Sequence, residues 1–241
     1  MSIETRTLSQ PADVAENFAR DFQQLIQKTL ANQPKVHVAL SGGSTPRLLF
    51  ELWANQYVDS VDWNRVHFYW GDERCVDPED PQSNYGVANE LFLSKVKINS
   101  TNIHRVRGEN NPEEERVRYE DEIKTSMASE TEWPKFDLII LGMGGDGHTA
   151  SIFPHQMELM NSKDICGLAT HPETGQQRVT LTGQVLNYSD RVAFLITGSG
   201  KAEVLKQVIE KTGEFESYPA SHIDATETMF YLDQAAAAKL S

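Results

Sequence analysis

Residues 136–154 read FDLIILGMGGDGHTASIFP. The apolar run Leu138 to Leu141 has the character of a buried strand and feeds a glycine cluster. Within that cluster Gly142, Gly144 and Gly147 fit G-x-G-x-x-G. The spacing is the dinucleotide-binding fingerprint, which also demands a following helix, a second parallel strand and an acidic residue roughly 20 positions on. Pro154 follows Gly147 so closely that only about two helical turns could fit between them. Asp164 lies near the required distance, but it precedes ICGLAT instead of ending a strand. A nicotinamide reading therefore fails. The alternative is a turn whose glycines allow close approach to a ligand and present Asp146 and His148.

Strand-then-loop patterns recur on both sides of this stretch. Ser9 and Pro11 make a helix start, with Phe18, Phe22 and Leu25 at helical spacing behind them. Val36–Leu40 reads as a strand ending in SGGSTP, followed by the helical RLLFELWAN. Val66–Trp70 is a second strand running into GDER, and Asn84–Val96 a second helix. Pro112–Met127 is expected to be a helix with its charges on a solvated face. Beyond Phe136–Leu141 come a strand at Gln177–Thr182, the β-branched RVAFLITG, a helix from near Lys201, the strand MFYLD and a final helix. This alternation predicts an α/β fold with a mainly parallel sheet covered on both faces. Ligands in such sheets bind beyond the carboxyl ends of the strands. SGGSTP, GDER, GMGGDGH and GSGK all fall there, so four polar loops are expected on one rim.

The 241 residues contain no Pro/Gly/Ser-rich linker, which points to one domain spanning 1–241. Hydrophobic residues at 39% and charged residues at 24% are those of an ordinary globular protein. No apolar segment reaches the roughly 18–20 residues that span a bilayer, and the N-terminus lacks a signal-peptide pattern. Cys75 and Cys166 are far apart and form no CxxC pair, which argues against a disulfide framework or zinc site and for a reducing cytoplasm. The net charge of −13 repels nucleic acid and anionic lipid. It would also repel a phosphorylated metabolite unless the few basic residues were gathered at the site.

The loops differ in how much chemistry they carry. SGGSTP could be an ordinary turn. It also offers backbone N–H groups at Gly42 and Gly43, hydroxyls at Ser41, Ser44 and Thr45, and the positive end of the next helix, with Pro46 suited to a first helical position. GSGK resembles the tail of a P-loop, but Ala202 replaces the Ser/Thr that would hold magnesium and Leu195 the first glycine. Lys201 is then either an exposed lysine or a point charge for phosphate. In GDER, Asp72, Glu73 and Arg74 read first as a solvated loop, with Arg74 informative only if it faces an anion. Asp146 and His148 form an Asp-x-His on a glycine turn, in which an imidazole can take a proton from water and a carboxylate can steady its cation. No HExxH and no G-x-S-x-G occurs, so metal hydrolysis and a serine nucleophile lose support.

Taken together, ALSGGSTP, FYWGDERCV with SNYG, DLIILGMGGDGHTASIFP, RVTLT and TGSGKAEVL give the chain a resemblance to the 6-phosphogluconolactonases over nearly its whole length. The resemblance implies a modified Rossmann-like α/β/α sandwich, shared with glucosamine-6-phosphate deaminases. It implies hydrolysis of 6-phosphoglucono-δ-lactone in the pentose phosphate pathway, without metal, cofactor, covalent nucleophile or obligate protein partner. By the same resemblance His148 is the general base, Asp146 its acidic partner, and Arg74 an arginine that stabilises negative charge at the reacting end or helps hold the substrate. The implied substrate-binding set is Ser41, Gly42, Gly43, Ser44, Thr45, Asp72, Arg178 and Lys201, with phosphate taken by the Ser41–Thr45 loop, Arg178 and Lys201. His155 and His222 depart from the family pattern, at positions that could reshape the pocket edge. Two rivals remain. A deaminase would carry a glutamate five residues after the histidine, where this chain has Phe153, and a sugar-phosphate sensor would add a basic helix-turn-helix, which is not apparent.

Overall fold

The computed structural model describes residues 3–127 and 133–241. Its centre is a six-stranded, wholly parallel sheet in the order β1-β9-β8-β5-β2-β3. The strands are β1 (Ile3–Leu8), β2 (Val36–Leu40), β3 (Val66–Trp70), β5 (Leu138–Leu141), β8 (Arg191–Ile196) and β9 (Glu227–Asp233). Every residue of β2 and β5 is buried, as expected of central strands covered on both faces. The architecture is a three-layer α/β/α sandwich of the modified Rossmann kind.

Helix α1 (Pro11–Leu30) starts with its proline at the first position, where a missing N–H costs nothing. Val14, Ala15, Phe18, Phe22 and Ile26 form its buried stripe, while Leu25 stays half-buried. The Phe22 ring lies 4.3 Å from that of Trp53 on α2 (Ser44–Gln56), and Trp63 closes the cluster at 5.8 Å from Trp53. Each such fully buried side chain contributes about 1.5–3 kcal/mol.

Four expectations need correction. The helix expected over Asn84–Val96 is α3 (Asn84–Leu91) and stops short of Val96, because Phe92 leaves helical geometry to bury its ring in the core. The charges of α4 (Pro112–Met127) are not all solvated: Glu115 is 1% exposed and accepts from Arg107 N–H and the Arg118 guanidinium. After β9, residues 234–239 form turns instead of a helix, with Asp233 holding the N–H groups of Ala236 and Ala237. GDER is not a loop. Asp72–Arg74 is a short strand, β4, that pairs antiparallel with β7 (Gln177–Leu181), which pairs in turn with β6 (Cys166–Thr170).

That second, three-stranded sheet carries three of the expected site residues, Asp72, Arg74 and Arg178. Gly71 joins the two sheets: its N–H donates to Leu40 on β2 and its carbonyl accepts from Leu181 on β7. β7 therefore belongs to the small antiparallel sheet, and Arg178 comes from a strand and not from a rim loop. The remaining helices are α5 (Gly183–Tyr188) and α6 (Ala202–Glu210), the latter entered through a tight turn at Ser199–Lys201. Among the described residues no helix is long and apolar enough to cross a membrane, and both cysteines are free.

Candidate active site

Strands β8, β5, β2 and β3 are consecutive neighbours in the parallel sheet, so the loops leaving their carboxyl ends share one rim. A cavity of about 260 Å³ lies between them. Ser41, Gly42, Gly43, Asp72, Arg74, His148, Arg178 and Lys201 all line it. Hollows of about 500 and 570 Å³ open elsewhere on the surface, but none of the expected catalytic or substrate-binding residues lines either. Convergence of chemistry, not size, picks out the site.

Three of the expected residues lie outside the lining. Ser44 is exposed on α2, and Thr45 is buried with its hydroxyl 2.9 Å from that of Thr197. Both follow from where α2 begins: Gly43 is its N-cap, so side chains from Ser44 onward follow the helix and not the rim. What α2 offers the cavity is its amino end, with no capping side chain and no acidic residue in the first turn. Gly43 sits at φ 111°, a conformation that favours glycine. Pro46 is the third helical residue, not the first, still within the turn whose N–H groups lack helical partners.

The third is Asp146, which is exposed and reaches the site through His148. Its Oδ1 lies 2.6 Å from Nδ1 of His148. Held there, Nδ1 is the protonated ring nitrogen and Nε2 the basic one, and Nε2 has no partner among the described residues. Burial by itself would raise the Asp146 carboxyl, but the hydrogen bond and charge of His148 outweigh it and hold the group below the usual carboxylate range. The loop that carries the pair is folded on itself. Gly144 N–H donates to the His148 carbonyl, Gly147 N–H to the Gly144 carbonyl, and the Thr149 hydroxyl to the Gly142 carbonyl. Beneath the imidazole lies Phe153, fully buried, with ring centroids 4.8 Å apart.

The arginines are partly engaged, Arg74 donating from Nη1 to the Gln82 carbonyl at 2.7 Å, yet each keeps a donor to spare. Arg74 and Arg178 stand directly opposite each other across the β4–β7 ladder, a like-charge pairing that disfavours the strand pair unless an anion lies between. Both have a buried Nε with no partner. Burial lowers the Arg178 guanidinium below its usual range, with the charge of Asp72 opposing and that of Arg74 adding to the shift. Its Nη1 donates to Ser151 Oγ at 3.3 Å, and Ser151 Oγ donates to Asp72 Oδ2 at 2.7 Å. Burial likewise lowers the Lys201 ammonium, against the charge of Asp233.

Sequence reading missed several supports. Glu73 is 1% exposed, not solvated; burial pushes its carboxyl up to about 6 even though it accepts three backbone N–H bonds. Tyr218 lays its ring against Gly147, and Ala220 N–H donates to the Gly147 carbonyl. Asn84 lines the cavity. Only its place in SNYG hinted at that. His155 is exposed beside Phe153, and His222 donates to the Glu216 carbonyl; neither lines the cavity.

Residues 9–231 match the model of the glucosamine-6-phosphate isomerases/6-phosphogluconolactonase family. The chain belongs to that family. Over 217 residues it is 43% identical to a 6-phosphogluconolactonase of Haemophilus influenzae, covering 89% of this chain and 91% of that one. A crystal structure of devB protein superimposes with a TM-score of 0.92 at 41% identity, covering both chains fully. A monomeric glucosamine-6-phosphate deaminase reaches a TM-score of 0.81 at 20% identity, over 98% of this chain and all of that one. The fold is thus common to both activities, and the choice between them falls to the site.

Proposed function

We propose that the protein hydrolyses 6-phosphoglucono-δ-lactone to 6-phosphogluconate, the lactone-opening step of the pentose phosphate pathway, with residues 1–241 acting as one catalytic domain. One observation carries the reading: the unpartnered Nε2 of His148 shares a cavity with Arg74, Arg178 and Lys201. In a chain of net charge −13 such a gathering of cations suits a phosphorylated substrate. The 6-phosphogluconolactonase relatives, similar over most of the chain, support it.

In this mechanism the phosphate is held by the Ser41–Gly43 backbone, the amino end of α2, Arg178 and Lys201. A water molecule gives a proton to His148 Nε2 as its oxygen attacks the lactone carbonyl. Asp146 steadies the imidazolium, and Arg74 faces the charge that develops on the carbonyl oxygen. The tetrahedral intermediate collapses, the bond to the ring oxygen breaks, and the imidazolium returns its proton to that oxygen. Neither a metal nor a redox cofactor has a part in these steps. Phe153 supports hydrolysis over deamination: the deaminase reaction needs several proton transfers, and a buried phenyl ring can make none.

The test is lactone hydrolysis by the purified protein, corrected for the spontaneous reaction, beside ammonia release from glucosamine 6-phosphate. Hydrolysis without ammonia is expected. Ammonia release without hydrolysis would overturn the reading.

A further inference from the structure

Asn84 faces the cavity, yet the hydrolytic steps above give it no role. Its amide is fixed in one orientation: Nδ2 donates to the backbone carbonyl of Asp72 at 2.9 Å. A carbonyl can only accept, so the NH₂ end must lie there and Oδ1 takes the opposite side. Oδ1 lies 1.9 Å from the point a Cβ on Gly42 would occupy, so it sits in space that only a glycine leaves open. No donor among the described residues reaches it.

The backbone at this residue is held equally firmly. Asn84 N–H donates to Glu73 Oε1 at 2.8 Å, and Tyr85 N–H to Oε2 at 2.7 Å. The Ser83 hydroxyl adds a bond to Oε2 at 3.1 Å, and Arg74 N–H one to Oε1 at 2.7 Å. One buried carboxylate thus carries the main chain of both Asn84 and Arg74. Cations on the cavity wall bind phosphate and carbonyl oxygens, but a sugar hydroxyl that donates needs an acceptor. Asp72 also lines the cavity and can accept through Oδ1, its Oδ2 being taken by Ser151, but it is a carboxylate already tied to Arg178 through that serine, and His148 Nε2 is needed for water. Asn84 Oδ1 is a neutral acceptor with nothing to accept.

We propose that Asn84 is a specificity-determining substrate contact, its Oδ1 accepting a hydrogen bond from a ring hydroxyl of the phosphorylated lactone, with Glu73 as the positioning residue that holds it. This rests on the lactonase reading. The contact forms in the bound substrate and persists through hydrolysis, so its loss raises KM more than it lowers kcat.

The experiment assays the parent, Asn84→Ala, Asn84→Asp and Glu73→Gln on 6-phosphogluconolactone and on its 2-, 3- and 4-deoxy counterparts. In the parent, one deoxy lactone is expected to lose about 10- to 100-fold in kcat/KM, the size of a hydrogen bond whose partner is left unpaired. Asn84→Ala loses as much on the full substrate, chiefly through KM, and loses nothing further on that deoxy lactone. Asn84→Asp keeps an acceptor but loses the donor to the Asp72 carbonyl, so it is expected to keep part of the discrimination, and the test survives if the alanine variant does not fold. Glu73→Gln places an NH₂ group against two donors and weakens the discrimination with a raised KM. Losses that simply multiply between Asn84→Ala and every deoxy lactone would overturn the assignment. A parent inactive on the full lactone would instead defeat the lactonase reading itself.

Discussion

Gly144→Ala isolates the placement of the His148 ring from its chemistry. A Cβ at this position would lie 2.2 Å from His148 Nδ1 and 2.5 Å from Asp146 Oδ1. Ordinary contact begins near 3.4 Å, so the ring must retreat by about 1.2 Å and the His148–Asp146 hydrogen bond must stretch or break. The ring cannot settle deeper, because Phe153 is already packed beneath it. Gly144 is not among the positive-φ glycines, so alanine meets no backbone strain and the fold should survive. A displacement of about 1 Å costs on the order of 10²-fold in rate, so kcat should fall by about that factor with KM little changed. Gly145→Ala is the control one residue away: its Cβ would meet only the Gly200 carbonyl, at 3.8 Å, and activity should stay within about threefold of the parent. The assay is steady-state lactone hydrolysis with thermal unfolding of each variant measured alongside. If Gly144→Ala keeps kcat within about threefold, or if Gly145→Ala falls as far, ring placement does not control the rate.

His148→Ala should lower kcat by roughly 10²–10⁴-fold with a much smaller change in KM, and near-parental turnover would remove it as the base. Lys201→Ala and Arg178→Ala should each weaken the phosphorylated lactone by roughly 1.5–3 kcal/mol while leaving unphosphorylated gluconolactone nearly unaffected; equal losses on both would point away from phosphate binding. Burial, helped by nearby Lys35, His67 and His104, lowers His37 to about 3, and burial with His104 and Lys35 lowers His67 to about 4. The folded state keeps these rings neutral while the unfolded chain protonates near 6.5, so their contribution is complete above 6.5 and is lost as pH falls toward 4 and then 3. The raised Glu73 carboxyl works in the opposite direction between 4.5 and about 6. Denaturant midpoints followed from pH 7 to 4 should therefore fall less steeply for His37→Gln than for the parent, and identical slopes would refute the assignment.

What the sequence made legible was what short-range pattern can encode. β2 and β3 announced themselves by runs apolar but for one histidine each, at the bounds later found, and α1 by its proline and its aromatic spacing. Three of the four expected rim loops, SGGSTP, GMGGDGH and GSGK, were legible for the same reason, since a glycine-rich turn after an apolar strand is a local signal. β1 and β6 were missed because IETRTL and CGLAT carry no apolar run; partners distant in the chain make them strands. GDER misled for a related reason. Three consecutive charged residues look solvated until the amino end of α3 and the face of β7 close over them, and then Asp72 and Glu73 are 5% and 1% exposed. The same limit explains the supports of the site. Asp72, Ser151 and Arg178 form one hydrogen-bonded chain from three separate segments, and Asn84 gains meaning only because Gly42 leaves room for its oxygen. Groups that bear charge or exchange protons are confined to a few side-chain types, so a motif can expose them. The groups that hold them need only have matching geometry, which many residue types can supply and which is set by the folded partners. In an acidic chain this division has a consequence. Arg74, Arg178 and Lys201 can be found as cations in the sequence, but the unpaired Nε–H groups of the two arginines exist only because the fold has gathered three cations around a cavity that Asp72 alone lines as a carboxylate.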